Sequence, residues 1–450
     1  MNLTRPLQAI VLVLSISVFS PAQGPAEQTP ASRQFTGWLA AHDGTDRNAY
    51  PTFLKTNFGT LQIEIPQLPS PGGQFGVGRV GYEWTDGSRP DGHAADSQAH
   101  RDLMVYLWYP AVKTKGGKSE EYLPGAKRMD ADAAVVPAMR EEFEGNWPLI
   151  VSGAISSLAI ENAPVARSDK KFPVVILAHG AGGTSFEYTS LIGNLVSHGY
   201  VVAAIENTYG APAVAFPDGR IVPAYHEPEP PNLSPDQRFQ RMMKSAGQGI
   251  DTGARDIVFV LNQLTKLDDG NEKTFVLRKK LELNRVASMG HSAGGANATL
   301  ACQMDARFKA CLSLDGQMPP VAAFPENPDG RWFTQPVLLL EVDHSGSRMG
   351  FNAAQNDVFL KKKEDQLSRC PAGSYDVVLK SPGLVHGSFS DYPLLAAMGR
   401  STETRDALHN LSLTASYIDA FLNQALNQVK SPLLEIGTDH PEATVKQYGH

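Results

Sequence analysis

The stretch VASMGHSAGG, Val286–Gly295, decides how the rest of the chain is read. Its apolar start, Val286–Met289, suits a buried strand, and the small residues after Ser292 open what reads as a helix. Between them, Gly290-His291-Ser292-Ala293-Gly294 fits Gly-x-Ser-x-Gly. In a nucleophile elbow the serine sits in a sharp, strained turn, so its flanking residues must be small for strand and helix to approach closely. Gly290, Ala293, Gly294, Gly295 and Ala296 meet that demand, which makes Ser292 the candidate nucleophile. A glycine-rich helix start could carry the same letters, and the preceding strand is what separates the two readings.

Outward from the elbow, short apolar runs recur: VVILA (Val174–Ala178), VVAAI (Val201–Ile205), CLSL (Cys311–Leu314), VLLLE (Val337–Glu341) and YDVVLK (Tyr375–Lys380). Helix-like segments separate them. Tyr188–Ser197 is one, Ile257, Leu261 and Leu264 mark a second by their three-to-four spacing, and Thr404–Leu426 is a third, with Leu408, Leu411, Tyr417, Ile418, Phe421 and Leu422 on one side. Continuous apolar strands alternating with helices predict an α/β fold with a mostly parallel sheet covered on both faces. Earlier, GVGRVGYEW and LMVYLWYPA (Leu103–Ala111) predict antiparallel edge strands. Residues 113–170 and 211–237 read as insertions, the second turning a hairpin at Asp218-Gly219 before a proline-rich loop. The main unit is therefore placed at 76–430, with a loosely ordered extension at 23–75 and a tail at 431–450 that lacks periodicity.

Residues 1–22 carry Arg5, the apolar run Leu7–Phe19 and small residues before Ala22, the pattern of a cleavable secretory leader. That run is shorter than the roughly 20 residues a membrane span needs. A secreted or periplasmic protein is expected. The 450-residue chain is 42% hydrophobic and 19% charged with a formal charge of −7, which suits a globular protein and offers no basic stripe for nucleic acid. Its cysteines, Cys302, Cys311 and Cys370, allow one disulfide but no dense framework.

A serine needs a base, and in elbow folds the order along the chain is serine, acid, histidine. His386 lies six residues after Lys380, the end of the last expected strand, whereas His409, His440 and His450 fall in a helix or the tail. Two aspartates end successive strands, Asp315 in LSLDGQM and Asp343 in LLLEVDHSG, and the residues alone leave both open as the acid. For the oxyanion, Ala293 supplies the amide after the nucleophile, and Ala181 in LAHGAGGTSF supplies one from the loop after an earlier strand. Gly76-Val77-Gly78-Arg79-Val80-Gly81 fits Gly-x-Gly-x-x-Gly, but YEWTDGSRPDG follows it and cannot open a helix, so it reads as a strand and not as a dinucleotide fingerprint. No spacing suggests a metal site and no cofactor is implied.

The chain resembles the plasma-type platelet-activating factor acetylhydrolase family of α/β-hydrolases. The likeness is carried by RDLMVYLWYP, APVARSDKKFPVVILAHGAGG, LVSHGYVVAAIEN, RVASMGHSAGGAN, DARFKACLSLDGQMPP and VHGSFSDY. The resemblance implies a calcium-independent serine esterase that removes short or oxidised sn-2 acyl chains from phospholipids. It implies Asp315 as the acid, through the Leu314-Asp315 pair, and matches His386, Phe389 and Asp391 to a His-x-x-Phe-x-Asp pattern and Ala181 and Ala293 to the oxyanion donors. Ala293 stands where that family usually has an aromatic residue, and Ala134–Ile160, where relatives can carry a lipid-surface helix, has no strongly apolar face. A secreted general carboxylesterase or polyester or dienelactone hydrolase is the alternative, with Asp343 as its usual acid. A binding module on a hydrolase fold without catalysis is the reading from another class.

Overall fold

The computed structural model describes residues 67–449 apart from 95, 115, 144–145, 271, 273, 317, 319–331, 345–352, 398–400 and 438–439. The expected leader and most of the 23–75 extension lie outside those residues. Each apolar run becomes a strand, and nine strands form one sheet: β1 (Gly76–Pro90), β2 (His100–Ala111), β3 (Phe172–Ala178), β4 (Val201–Glu206), β5 (Leu281–His291), β6 (Phe308–Leu314), β7 (Val337–Val342), β8 (Ser374–Leu379) and β9 (Ala443–Tyr448). Their order across the sheet is β1-β2-β4-β3-β5-β6-β7-β8-β9. From β4 to β8 every neighbour is parallel; β2 is antiparallel to both β1 and β4, and β9 is antiparallel to β8. This is an α/β-hydrolase fold. The Gly-x-Gly-x-x-Gly stretch lies within β1, as read.

Alternation along the strands divides the core in two. Val175, Leu177, Val202, Ala204, Ala287, Met289, Leu312 and Leu314 face α1 (Thr189–Ser197), which meets them with Leu191, Ile192 and Leu195. Val174, Ile176, Val201, Ala203, Val286 and Cys311 face α2 (Pro235–Asp269), which meets them with Ile257, Val260, Leu261 and Leu264. The helix after the elbow, α3 (Ala293–Met304), adds Ala298, Ala301 and Cys302 to the second face, while α4 (Ala353–Ser368) leads into β8. The last helix, α5 (Ser401–Asn427), returns to the first face with Ile418, Phe421 and Leu422. With both faces covered, β3, β4 and β7 are buried along their whole length, which is why they read as unbroken apolar runs. Ser234 and Gln237 form a capping box that starts α2 inside the proline-rich stretch.

The 113–170 insertion is part of the core and not an appendage. A short hairpin, Ser119–Glu121 with Ser156–Ile160, brackets helices Ala126–Asp130, Val136–Phe143 and Trp147–Ser152, whose Met129, Met139, Phe143 and Trp147 are buried against the first face. Buried Arg79 fastens it. Its Nε donates to Glu120 at 2.7 Å, its second guanidinium nitrogen donates to the Glu121 carbonyl at 2.7 Å, and its Cζ lies 4.8 Å from the centroid of the Trp108 ring. In the second insertion, Ala213–Ala215 and Ile221–Pro223 form the expected hairpin around Asp218-Gly219.

Cys302 of α3 is disulfide-bonded to Cys311 of β6, and Cys370 is a buried free thiol. The 431–450 tail departs from expectation: its Ala443–Tyr448 pairs with the whole of β8 and closes that edge of the sheet. Among the described residues no helix is long and apolar enough to cross a membrane.

Candidate active site

In a parallel sheet the strand ends that point the same way gather the loops after β3, β5, β6, β7 and β8 along one edge. Ser292 stands at the centre of that edge, between the end of β5 and the start of α3, with φ 56° and ψ −122°. A side chain on Gly290 would overlap the Gly294 carbonyl, and one on Gly294 would overlap the carbonyls of Ala178 and His179. Glycine at those two positions lets β5, α3 and β3 converge beneath the serine. The Ser292 amide donates to the Leu314 carbonyl at 2.9 Å, tying the turn to the neighbouring strand.

Asp315 follows directly after β6 with a left-handed φ of 47°. Its Oδ2 lies 2.6 Å from Nδ1 of His386, which begins a short 3₁₀ turn, His386–Phe389, on the loop after β8. The carboxylate that meets His386 is therefore Asp315, and Asp343, the alternative acid, is seated by its amide on the Leu379 carbonyl at the end of β8. The Asp343 loop contributes its next residue instead. His344 Nε2 is 2.8 Å from Asp315 Oδ1, which also accepts the Val342 amide at 3.3 Å. Burial alone would raise the Asp315 carboxyl, but the hydrogen bonds and charge of His344 and His386 outweigh it and hold it well below the usual carboxylate range.

Phe389 is fully buried, and Asp391 anchors the base loop from below. The Asp391 carboxylate accepts the Ser190 amide at the start of α1 at 3.2 Å and the Tyr122 hydroxyl at 3.2 Å, and its own amide donates to the Glu187 carbonyl at 2.6 Å. Burial pushes the Asp391 carboxyl up to about 7. Tyr122 belongs to the 113–170 insertion, so that insertion helps hold the histidine loop.

The loop after β3 runs over the serine. A side chain on Gly180 would stand 3.4 Å from Ser292 Cβ, and Ala181 is the next residue, exposed at the edge. His179 fixes the start of this loop. Its Nδ1 is 2.7 Å from the Gly180 carbonyl, and its Nε2 accepts the Asn207 amide at 3.1 Å. One nitrogen faces an acceptor and the other a donor, which suits a neutral ring, and burial pushes its pKa down to about 4. Burial likewise raises Glu206, which accepts the Ser185 amide from the end of the same loop, to about 7.

The residues singled out in the sequence thus lie at one edge: Ser292 and Ala293 at the elbow, Ala181 on the loop after β3 next to Gly180, and Asp315 hydrogen-bonded to His386. His344, His179 and Tyr122 were not singled out; the one sequence signal for His344 is its place beside Asp343 on a strand-end loop. Among the described residues no group of three or more His, Cys, Asp and Glu side chains could hold a metal ion.

Residues 62–427 match the family model for platelet-activating factor acetylhydrolase, isoform II. The chain is 24% identical to the platelet-activating factor acetylhydrolase of Gallus gallus, over 54% of this chain and 58% of that protein. It is 28% identical to that of Cavia porcellus, over 49% and 48%. It therefore spans about half the length of these vertebrate relatives. A probable 1-alkyl-2-acetylglycerophosphocholine esterase of Arthroderma benhamiae is 24% identical over 74% of this chain and 78% of its own. Among solved structures, a ferulic acid esterase from Streptomyces cinnamoneus superposes with a TM-score of 0.63 at 26% identity, covering 85% of this chain and 99% of that one.

Proposed function

The chain belongs to the platelet-activating factor acetylhydrolase isoform II family, and from that premise and the geometry of the site we propose that it is a serine esterase acting on short or oxidised sn-2 acyl groups of phospholipids. The observation that carries the reading is the 2.6 Å contact between Asp315 and Nδ1 of His386, whose ring packs 4.6 Å from that of His291, the residue before the strained Ser292. With Nδ1 committed to the carboxylate, Nε2 is the nitrogen left to take a proton.

His386 Nε2 removes the Ser292 hydroxyl proton as Oγ attacks the ester carbonyl carbon. Asp315 holds the imidazole in the Nδ1–H tautomer and stabilises the imidazolium. The amides of Ala181 and Ala293 donate to the oxyanion, and Ala293 lies at the first position of α3, where backbone amides are unsatisfied and the helix dipole favours negative charge. As the tetrahedral intermediate collapses, His386 returns the proton to the leaving alkoxide. Water then repeats the sequence on the acyl-enzyme, releasing the acid and restoring Ser292.

The likeness to a ferulic acid esterase favours a second substrate reading, a general carboxylesterase, on the same machinery. Export is part of the proposal: the leader pattern at residues 1–22 supports it, and so does the Cys302–Cys311 disulfide, which suits an oxidising compartment.

The deciding experiment measures kcat/KM of the mature protein on phosphatidylcholines with acetyl, short oxidised and palmitoyl groups at sn-2, beside p-nitrophenyl acetate and methyl ferulate. At least a tenfold preference for the short sn-2 lipids over both soluble esters is expected, roughly 1.4 kcal/mol of differential transition-state binding. Indifference to the lipid supports the carboxylesterase reading. Full activity in Ser292→Ala, or no labelling by a serine-directed phosphonate, refutes both.

A further inference from the structure

The histidine inside the elbow, His291, has no part in the mechanism above, yet it is buried and both of its ring nitrogens are engaged. Its Nε2 lies 2.9 Å from the backbone carbonyl of His386. Its Nδ1 lies 2.8 Å from the hydroxyl of Tyr188. That hydroxyl in turn accepts the backbone amide of Gly180 at 3.2 Å. The polarity of the chain is determined. A carbonyl oxygen only accepts, so Nε2 must carry the hydrogen. Burial first, and the neighbouring His386 second, push the His291 pKa down to about 3, so the ring is neutral and Nδ1 offers a lone pair. The Tyr188 proton then points at Nδ1, and its oxygen receives the Gly180 amide. One unbroken sequence of donors runs from the Gly180 amide through Tyr188 and His291 to the carbonyl of His386.

The three loops that this sequence joins are those the mechanism needs together. Gly180 precedes Ala181, whose amide is assigned to the oxyanion; His291 precedes Ser292; His386 is the base. The His291 ring also packs 4.6 Å from the His386 ring and 5.6 Å from Phe389, centroid to centroid. We propose that His291 and Tyr188 are positioning residues that couple the oxyanion loop to the catalytic histidine, so that the amide at Ala181 and the ring at His386 are held in register across Ser292. Neither touches the reacting atoms. With the Gly180 amide committed to Tyr188 and the Gly183 amide donating to the Gly180 carbonyl at 3.3 Å, neither competes with the Ala181 amide for the oxyanion. With the His386 carbonyl held, the backbone that sets its ring direction cannot swing.

The inference rests on the serine-esterase reading, and its test separates the two. The variants are His291→Phe, which keeps the ring volume and removes both bonds, His291→Gln, which keeps a donor within reach of the His386 carbonyl, Tyr188→Phe and the double variant. On p-nitrophenyl acetate, His291→Phe is expected to lower kcat about 10- to 100-fold with KM within about threefold, from the loss of a buried donor and acceptor. His291→Gln recovers most of that loss, and Tyr188→Phe loses about tenfold. Because the bonds lie in series, the double variant is no slower than His291→Phe by more than about twofold. A His291→Phe enzyme within twofold of the parent kcat overturns the proposal, as do losses that multiply in the double variant or fall on KM alone. If His291→Phe does not fold, Tyr188→Phe and His291→Gln carry the same comparison. Ser292→Ala, run alongside, isolates the premise: its retaining activity refutes the esterase reading, whereas an inactive Ser292→Ala beside an unimpaired His291→Phe refutes this coupling only.

Discussion

Replacing Asp315 with asparagine exchanges one carboxylate oxygen for an amide nitrogen at a site where three donors converge. Oδ2 faces His386 Nδ1 at 2.6 Å, while Oδ1 faces His344 Nε2 at 2.8 Å and the Val342 amide at 3.3 Å. If the amide nitrogen turns toward His386, it donates to Nδ1 and moves the ring hydrogen to Nε2, the atom that must accept the Ser292 proton. If it turns the other way, it meets the Val342 amide and His344, leaving buried donors unpaired at a cost of about 1–3 kcal/mol. The first arrangement is the cheaper because His344 and His386 can change tautomer and the Val342 amide cannot. The wrong-tautomer outcome in a serine protease triad lowers kcat by about 10⁴, equivalent to about 5.5 kcal/mol of barrier. The expected result for Asp315→Asn is a loss of that order in kcat on p-nitrophenyl acetate, with thermal unfolding still cooperative. Asp343→Asn, by contrast, is expected to stay within about threefold of the parent enzyme, since the acid that meets His386 is already Asp315. Retention of more than about a tenth of kcat in Asp315→Asn, or an equal collapse in Asp343→Asn, refutes the assignment.

His344→Leu removes a donor from the same buried carboxylate and loosens the hold of Asp315 on His386, so kcat on p-nitrophenyl acetate is expected to fall about 3- to 10-fold with KM little changed. His344→Gln should restore most of that loss, and an unchanged kcat in His344→Leu counts against the role. Ala181→Pro deletes one oxyanion amide and should cost about 10²–10³ in kcat in a protein that still folds, so near-normal turnover would move the donor elsewhere. Glu206, raised from the ordinary glutamate range near 4.3 to about 7, holds its proton more tightly when folded, so its contribution is complete below about pH 4 and lost as pH rises to about 7. Urea unfolding of Glu206→Gln between pH 4 and 7.5 should lose about 3 kcal/mol less stability across that window than the parent, and parallel curves would exclude the burial effect. The disulfide closes a loop of nine residues' separation between α3 and β6, so Cys302→Ala/Cys311→Ala should lower stability by about 2–3 kcal/mol, visible as a drop in Tm, and an unchanged Tm would deny it that role.

The parts of the fold that were legible in the chain are those that repeat at short range. The buried strands were visible because burial on both faces demands continuous apolar side chains, and α2 and α5 because one apolar stripe must face the sheet. The 113–170 insertion read as an interruption because its buried residues, Met129, Met139, Phe143 and Trp147, are spread over three short helices that pack only in combination. The Ala443–Tyr448 strand was missed for a related reason. An edge strand owes its existence to pairing with β8, and its alternating Thr444, Lys446 and Val445, Gln447 offer no apolar run to announce it.

At the site the same division holds. Sequence by itself determined Ser292, Ala293 and His386 as candidates, because a strained turn from strand to helix needs glycines within a few residues of the serine and the base must follow the last parallel strand. Residues alone could not choose between Asp315 and Asp343, since both end neighbouring strands and differ only in which way their loops turn; the family resemblance favoured Asp315. Tertiary structure brings Asp315, with its left-handed backbone, within 2.6 Å of a histidine 71 residues away and sends His344 to its other oxygen, which is the geometry that supports proposing Asp315 as the acid. It also joins residues 180, 188, 291 and 386 by hydrogen bonds, a connection that has no local sequence pattern and exists only once four separate segments meet.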